Sequence, residues 1–566
     1  MALWYVEEHS ECSCLVPRLS FFSAFSAKRE RALDQKPKEE IVAKMTRFRL
    51  ERSKGRLKQL LQRSDEEAFL QMIWAVDLLQ GGEPDIARKF IRAPADAAAA
   101  KIGDRYFAYK WILEDLVNHR ISVRQLPRKE GPNWRLDCTN YDAFTAVYNA
   151  LHQIQDAEQI LDVTRRENIW AEMPRIGHRQ FSWQQPALNL RNFYRSAVLY
   201  GDGALSDHYT KRWGLSPSDM MLFGIGAWAQ IGTQPFFSPT KMKVPEVGLS
   251  QEIVDAALAV LSASLAEHRR ASLDLRGTGR DRIYRPSSLR RHPCISFGLN
   301  GERIRCPLRE LVLVRCTEGL YYDLVGISDD VRREFGRAFE VYALRFVKAV
   351  VDEPVKSSIE YRFKGNTISS PDILVGGPKD LSLVVECKAA RMSFDARFGA
   401  DRQAAGRRGF DELAKGIRQI WRFLSHVRRG LVPDHASRND VFGLVLTVDP
   451  WLRMTVGEYE AIFNQARQWC AENEPDIEQV DQCKVGFTHI EDFERMALQT
   501  DATGVIETCR TGSDPNFIGW GFSELRDRAG VKKASREYPF HADMGRALPW
   551  WDTIDEVKRT RAKAGA

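Results

Sequence analysis

Several large protein classes are excluded by what this sequence lacks. There is no CxxC pair, and ten cysteines are scattered over 566 residues. A dense disulfide framework is therefore out, and neither "ECSC" (Cys12, Cys14) nor the spread Cys294, Cys306, Cys316 has ordinary zinc spacing. No GxxxxGK[ST] loop occurs, so an ATP-driven step would need a partner. Long apolar runs are missing too. The longest, "AALAVLSASLA" from Ala256, is too short to span a bilayer and runs into "EHRR". The N-terminus carries Glu7, Glu8 and Glu11 where a secretory signal has positive charge. These absences set the expectation of a soluble, cytoplasmic protein that avoids membranes.

What is present is globular. The chain is 44% hydrophobic and 28% charged, and its length predicts two to four domains. The net charge of +7, from 83 basic and 76 acidic residues, is only mildly basic. Clustering matters more than the total. Residues 28–63 are strongly basic, which fits a solvated helix face as well as an anionic partner. Residues 65–270 have mostly helical periodicity, as in "EEAFLQMIWAVDLLQ" with Gly81-Gly82 as its stop. This half reads as a recognition or interaction domain and leaves a protein partner or a homo-oligomer open.

The arginine-rich "RGTGRDRIYRPSSLRRHP" (276–293) predicts an exposed linker lying along an anionic backbone. Two hairpins are expected next, "CISFGL-NG-ERIRC" and "ELVLVRC-TEG-LYYDLV". Together they form a small β connector over 271–330. From 331 the predicted order is αβββαβ. An amphipathic helix over 331–350 precedes the strands "SSIEYRF", "PDILV" and "LSLVVECKA". The helix "DELAKGIRQIWRFLSHV" and the buried strand "VFGLVLTV" follow. The expected fold class is therefore α/β: a helical N-terminal part, a β connector and a C-terminal mixed sheet over 331–500. After 500 a C-terminal extension shows no clear period and ends in a docked tail.

The stretch "PDILVGGPKDLSLVVECKAA" (371–390) carries the chemistry. If its turn centres near Lys379, Asp372 and Glu386 face each other across an antiparallel pair, Cβ atoms about 5 Å apart. Lys388 shares the face of Glu386, while Cys387 points into the core. Facing carboxylates repel unless a cation lies between them, and hard oxygen donors suit Mg²⁺ or Mn²⁺. Three other PD dipeptides, at 84, 433 and 475, lead to no [DE]xK on a predicted strand.

Pro371-Asp372, thirteen residues, then Glu386-Cys387-Lys388, inside an αβββαβ order, resembles the PD-(D/E)xK, restriction-endonuclease-like nuclease superfamily. The resemblance covers residues 331 to about 450. It implies that Asp372 and Glu386 hold Mg²⁺ and that Lys388 assists the nucleophile. It also implies a metal-holding role for Glu340 on the first helix, where a solvated acid is the alternative. "QIWRF" stands where some members have QxxxY, so Gln419 is implied as a lysine- or phosphate-orienting group, with Phe423 replacing the tyrosine. The implied activity is metal-dependent phosphodiester hydrolysis, with DNA favoured over RNA. Its setting is bacterial defence or restriction, or else repair. A catalytically silent nucleic-acid-binding scaffold is the alternative from another class. Ten basic residues between 391 and 429 fit a phosphate-backbone substrate. Trp421 and Phe423 are read either as base-stacking or as packing groups.

Overall fold

The computed structural model describes residues 36–557 except 128, 130–133, 164–172, 185–187, 277–286, 325, 327, 394–395, 398–401, 451–453 and 555. Cys12, Cys14, the acids near the N-terminus, Arg280, Arg282, Arg285 and the end of the C-terminal tail lie outside the described residues. Among the described residues no helix is long and apolar enough to cross a membrane.

The N-terminal part is helical. Helix α1 (Lys36–Gln62) packs along α4 (Tyr141–Val163), with α2 (Glu66–Gln80) and α3 (Lys110–Ile121) beside them. Asp65 caps α2 by accepting from Ala68 N, and Gly81 ends it. Helices α5 (Leu190–Tyr200), α6 (Gly203–Trp213) and α7 (Pro217–Ile231) complete the part that faces the sheet domain. Trp74, fully buried on α2, donates from Nε1 to Ile231 O at the end of α7, at 2.7 Å.

The connector departs from expectation in two places. The first hairpin forms: β2 (Cys294–Phe297) pairs antiparallel with β3 (Arg303–Arg305), and β1 (Ser262–Ser264) adds a parallel edge. The second does not. "ELVLVRC" and "LYYDL" are the short helices Glu310–Cys316 and Leu320–Leu324. Apolar residues bury on both sides there, and Arg315 is held by Asp323 at 2.7 and 2.8 Å. Alternation could not separate that from a strand. The arginine-rich stretch also differs where it is described. Ser287, Ser288, Leu289 and Pro293 are buried and Arg290 and His292 partly so, which leaves Arg291 as the exposed residue of 287–293.

The C-terminal sheet has the order β10-β9-β8-β7-β4. Its elements are β4 (Val355–Ser357), β7 (Ile373–Gly377), β8 (Asp380–Lys388), β9 (Ser437–Thr447) and β10 (Val485–His489). Strands β4, β7 and β8 pair antiparallel, whereas β8, β9 and β10 run parallel. The sheet is therefore mixed, as expected. "SSIEYRF" is not one core strand. The core strand is Val355–Ser357, and Glu360–Phe363 (β5) turns back into Asn366–Ser369 (β6) as a separate hairpin. Lys364 and Gly365 both take positive φ, 50° and 82°, which is the two-residue turn that matches strand twist.

Helix α8 (Asp329–Val350) covers one face of the sheet with Phe335, Phe339, Tyr342, Phe346 and Val350 buried, as its periodicity predicts. Ser328 caps it by accepting from Val331 N. Ile373, Val375, Leu383, Val385 and Cys387 point to this side. Leu374, Val384 and Val445 point to the other face, under α9 (Arg402–Arg428) and α10 (Val456–Asn473). Past β10 the chain is more helical than its irregular punctuation suggests, with α11 (Ile490–Ala497) and α12 (Ala502–Gly512).

Two buried links join the halves. Arg195 on α5 pairs with Glu494 on α11 at 2.6 Å, both nearly inaccessible, and Tyr342 on α8 donates to the same carboxylate. Trp550 of the tail donates to Ser218 O and Oγ at 3.1 and 3.0 Å, so the tail docks as expected.

Candidate active site

Register brings the two strand acids together. Ile373 pairs with Val385, Leu374 with Val384 and Val375 with Leu383. One step outward, the same register sets Asp372 opposite Glu386. The irregularity lies beyond Val375, where Gly376 takes φ 104°, and it leaves this end of the ladder undisturbed. Asp372 Oδ2 accepts from Cys387 N at 2.7 Å, which ties the acid across the strand pair.

Alternation along β8 places Glu386 and Lys388 on the α9 face, and Cys387 is buried on the other. Burial lifts the Cys387 thiol well above its usual range, so it is a packing residue. Lys388 Nζ donates to Glu386 Oε1 and to Gln419 Oε1, both at 2.8 Å. Gln419 is thus joined to the lysine.

Glu386 is 3% exposed, and its second oxygen, Oε2, is buried with no hydrogen-bond partner among the described residues. Burial pushes its pKa up to about 7; Lys388 pulls it down and Asp372 pushes it further up. Burial also raises Asp372 to about 6, with the charge of Glu340 adding to the rise and the Cys387 N–H opposing it. Glu340 is half-buried on α8. Its carboxyl is raised by burial and then by Glu386, so the third acid lies within electrostatic reach of the other two. Three carboxyls, each raised by the charge of one of the other two, form a site that gains from a cation.

Among the described residues, no group of three His, Cys, Asp or Glu side chains is arranged to hold a metal ion as it stands. The fit therefore rests on the donors themselves. Two facing carboxylates, a third acid nearby and an orphaned buried oxygen suit a hard divalent cation.

One contributor is not evident from the motif. Gly416 lies on α9 where an added Cβ would stand 3.1 Å from Lys388 Cε, 3.2 Å from Val445 Cγ2 and 3.5 Å from Glu386 Cγ. Glycine lets the helix close on the lysine and brings Gln419, three residues on, into reach. A glycine inside an otherwise strong helical pattern is the one sequence feature that could have drawn attention to it.

Most arginines of the cluster are engaged by the protein's own side chains, although Arg428 and Arg429 are exposed. Arg391 and Arg397 converge on the buried Asp449. Burial alone would raise that carboxyl, and the two guanidiniums hold it below its usual range. Arg422 pairs with Glu474, Arg428 with Asp481 and Arg429 with Asp476, while Arg418 lies 3.9 Å over Trp469. Arg407, Arg408 and Lys415 are exposed on α9, and the side chain of Arg402 lies outside the described residues. Trp421 and Phe423 are 2% and 1% exposed, so they pack the core and cannot stack on bases. Arg290 is no backbone contact either. It donates from Nε and Nη2 to Glu114, both at 2.8 Å.

No protein-family model, no curated protein and no solved structure matches this chain.

Proposed function

We propose that this chain is a metal-dependent nuclease of the PD-(D/E)xK kind, acting on DNA, in which Asp372 and Glu386 hold Mg²⁺ with Glu340 beside them. The observation that carries the reading is the buried, unpartnered Oε2 of Glu386, facing Asp372 next to a lysine fixed from two sides. A bound Mg²⁺ would neutralise the acids and act as a Lewis acid on the scissile phosphate.

The chain's own groups supply the rest. Glu386 Oε1 and Gln419 Oε1 fix the Lys388 ammonium, which leaves it one further N–H to offer an attacking water or a phosphoryl oxygen. Hydrolysis then forms one P–O bond to water and breaks the P–O bond to the leaving sugar oxygen, which departs protonated. Lys388 stabilises the negative charge that grows on the phosphoryl oxygens. Glu340 adds negative charge that favours a cation over a bare apo site.

A second reading keeps the fold without the chemistry. The Lys388–Glu386 pair and the Asp372–Cys387 N bond already satisfy much of the site internally, as a silent scaffold would.

The deciding experiment incubates the purified chain with linear, supercoiled and single-stranded DNA and with RNA, with Mg²⁺ or EDTA. The nuclease reading expects cutting in Mg²⁺ that EDTA stops and that Asp372→Asn, Glu386→Gln and Lys388→Ala each abolish. Cutting that persists in EDTA or in Asp372→Asn overturns it. No cutting of any substrate, with a melting temperature indifferent to Mg²⁺ and Mn²⁺, supports the scaffold.

A further inference from the structure

Helix α1 has two faces of opposite character. Thr46, Leu50, Ser53, Leu57 and Leu61 are buried, at the spacing that seats a helix on a neighbour. That neighbour is α4, where Ser53 Oγ donates to Gln153 Oε1 at 3.2 Å and Lys54 reaches Glu158 at 3.6 Å. The outward face over residues 42–59 carries Lys44, Arg47, Arg49, Arg52, Arg56 and Lys58, all exposed, against the single exposed acid Glu51. None of these six forms an ion pair among the described residues. Glu51 is itself occupied by Lys54, at 3.3 Å.

Two facts set this face apart from an ordinary solvated helix. Like charges at i, i+3 and i+4 repel, so one sign repeated over several turns costs the free helix stability unless something screens it. The face also exposes large apolar groups among the cations: Phe48 is 71% exposed and Met45 55%. Arginine interleaved with an exposed aromatic is the surface that tracks a phosphate backbone while offering a stacking platform. With 27 residues, α1 is about 40 Å long, the length of about twelve base pairs.

We propose that the outer face of α1 is a nucleic-acid-binding surface: its arginines and lysines contact successive phosphates, and Phe48 stacks on a base where the strand is unpaired. The nuclease reading supplies the identity of the polyanion, and the binding surface stands on α1 alone. Phosphate contacts of this kind set affinity and orientation without reading sequence. An anionic membrane surface is the competing partner for a basic face with exposed apolar groups.

The test uses the full chain carrying Asp372→Asn, so that DNA is bound and not cut. Fluorescence anisotropy with a labelled duplex of roughly twice the length of α1, and with its single strand, is followed over a KCl series. Changing Arg49, Arg52 and Arg56 together to Gln should weaken binding and lower the slope of log affinity against log salt by about two to three on duplex. The same three changed to Lys should keep the slope, which separates charge from folding. Phe48→Ala should leave the duplex slope unchanged and weaken single-strand binding by about fivefold or more.

An unchanged slope in the Gln triple variant overturns the proposal, as does a full chain that binds neither strand nor duplex. So does binding to phosphatidylserine vesicles that the triple variant loses while its DNA binding stays intact. Failure of the nuclease reading looks different: the chain with Asp372 intact would leave DNA uncut while the α1 changes still weakened binding and flattened the salt slope.

Discussion

Gly416 and Lys388 approach so closely that a single methyl group on the glycine would meet the lysine Cε at 3.1 Å. Alanine is the better helix former by about 1 kcal/mol, so Gly416→Ala gains local helix stability. It also presses on a side chain held by Glu386 and Gln419 and backed by Val445. The variant should melt within a few degrees of the parent and lose about tenfold or more in cleavage, since small misplacements of positioned groups cost that much. Gly416→Val should lose more. Cleavage unchanged in Gly416→Val would show that the lysine's seat does not matter.

The facing acids make stability depend on pH in a defined direction. Asp372 is raised to about 6 from 3.8 and Glu386 to about 7 from 4.5, so each holds its proton more tightly in the folded state. Their contribution favours folding at low pH and is lost as pH rises from about 4 through about 7. Asp372→Asn keeps an acceptor for Cys387 N and removes the charge. Its melting temperature relative to the parent should therefore climb as pH rises through about 6, without metal. A relative melting temperature that falls over that range would contradict the site's electrostatics.

Metal binding should run the other way. At pH 6 Glu386 is mostly protonated and Asp372 about half, so Mg²⁺ must displace about one proton or more per ion. Affinity should drop roughly tenfold or more between pH 8 and pH 6, and cleavage with it. Calorimetry in two buffers of different ionisation enthalpy measures the protons released. Mg²⁺ affinity that is flat across this range would remove the two strand acids as ligands.

Arg290 offers a separate check, on the helical half. Glu114 is 3% exposed and accepts from Arg290, Ser287 and Trp183. Arg290→Ala should cost about 3–5 kcal/mol, because it leaves a buried carboxylate without its cation. Denaturant titration reads this directly. The salt slope of DNA binding should not move, since this guanidinium faces the protein interior. Unchanged stability with a flatter slope would restore the arginine to the substrate.

The candidate site was legible because its elements obey short-range rules. A period of two fixed which residues of β8 share a face, and one turn fixed the register that sets Asp372 against Glu386. Helix α8 showed its buried stripe for the same reason. The helices at 310 and 320 were misread because apolar residues on both sides leave no period to distinguish. For Trp421 and Phe423 stacking and packing stay equally open in the sequence, which does not say which side of α9 carries the packing load. Arg290 and its buried acid lie 176 positions apart, and no local pattern connects them. Gly416 matters through distance to a strand, which the chain order leaves out.

The ion pair between Arg195 and Glu494 bears on how this protein could be inherited. A fragment starting at residue 331 would carry the whole candidate site yet strand Glu494 without its guanidinium, inside a wall of α8 that had lost its neighbours. Shuffling that separated the halves would thus deliver an unstable piece rather than a transplantable module. Truncation from the front should dismantle the candidate site by unfolding it, with every residue of that site still encoded. The helical half thus contributes, through Arg195, to the packing that holds the acids at the strand ends together.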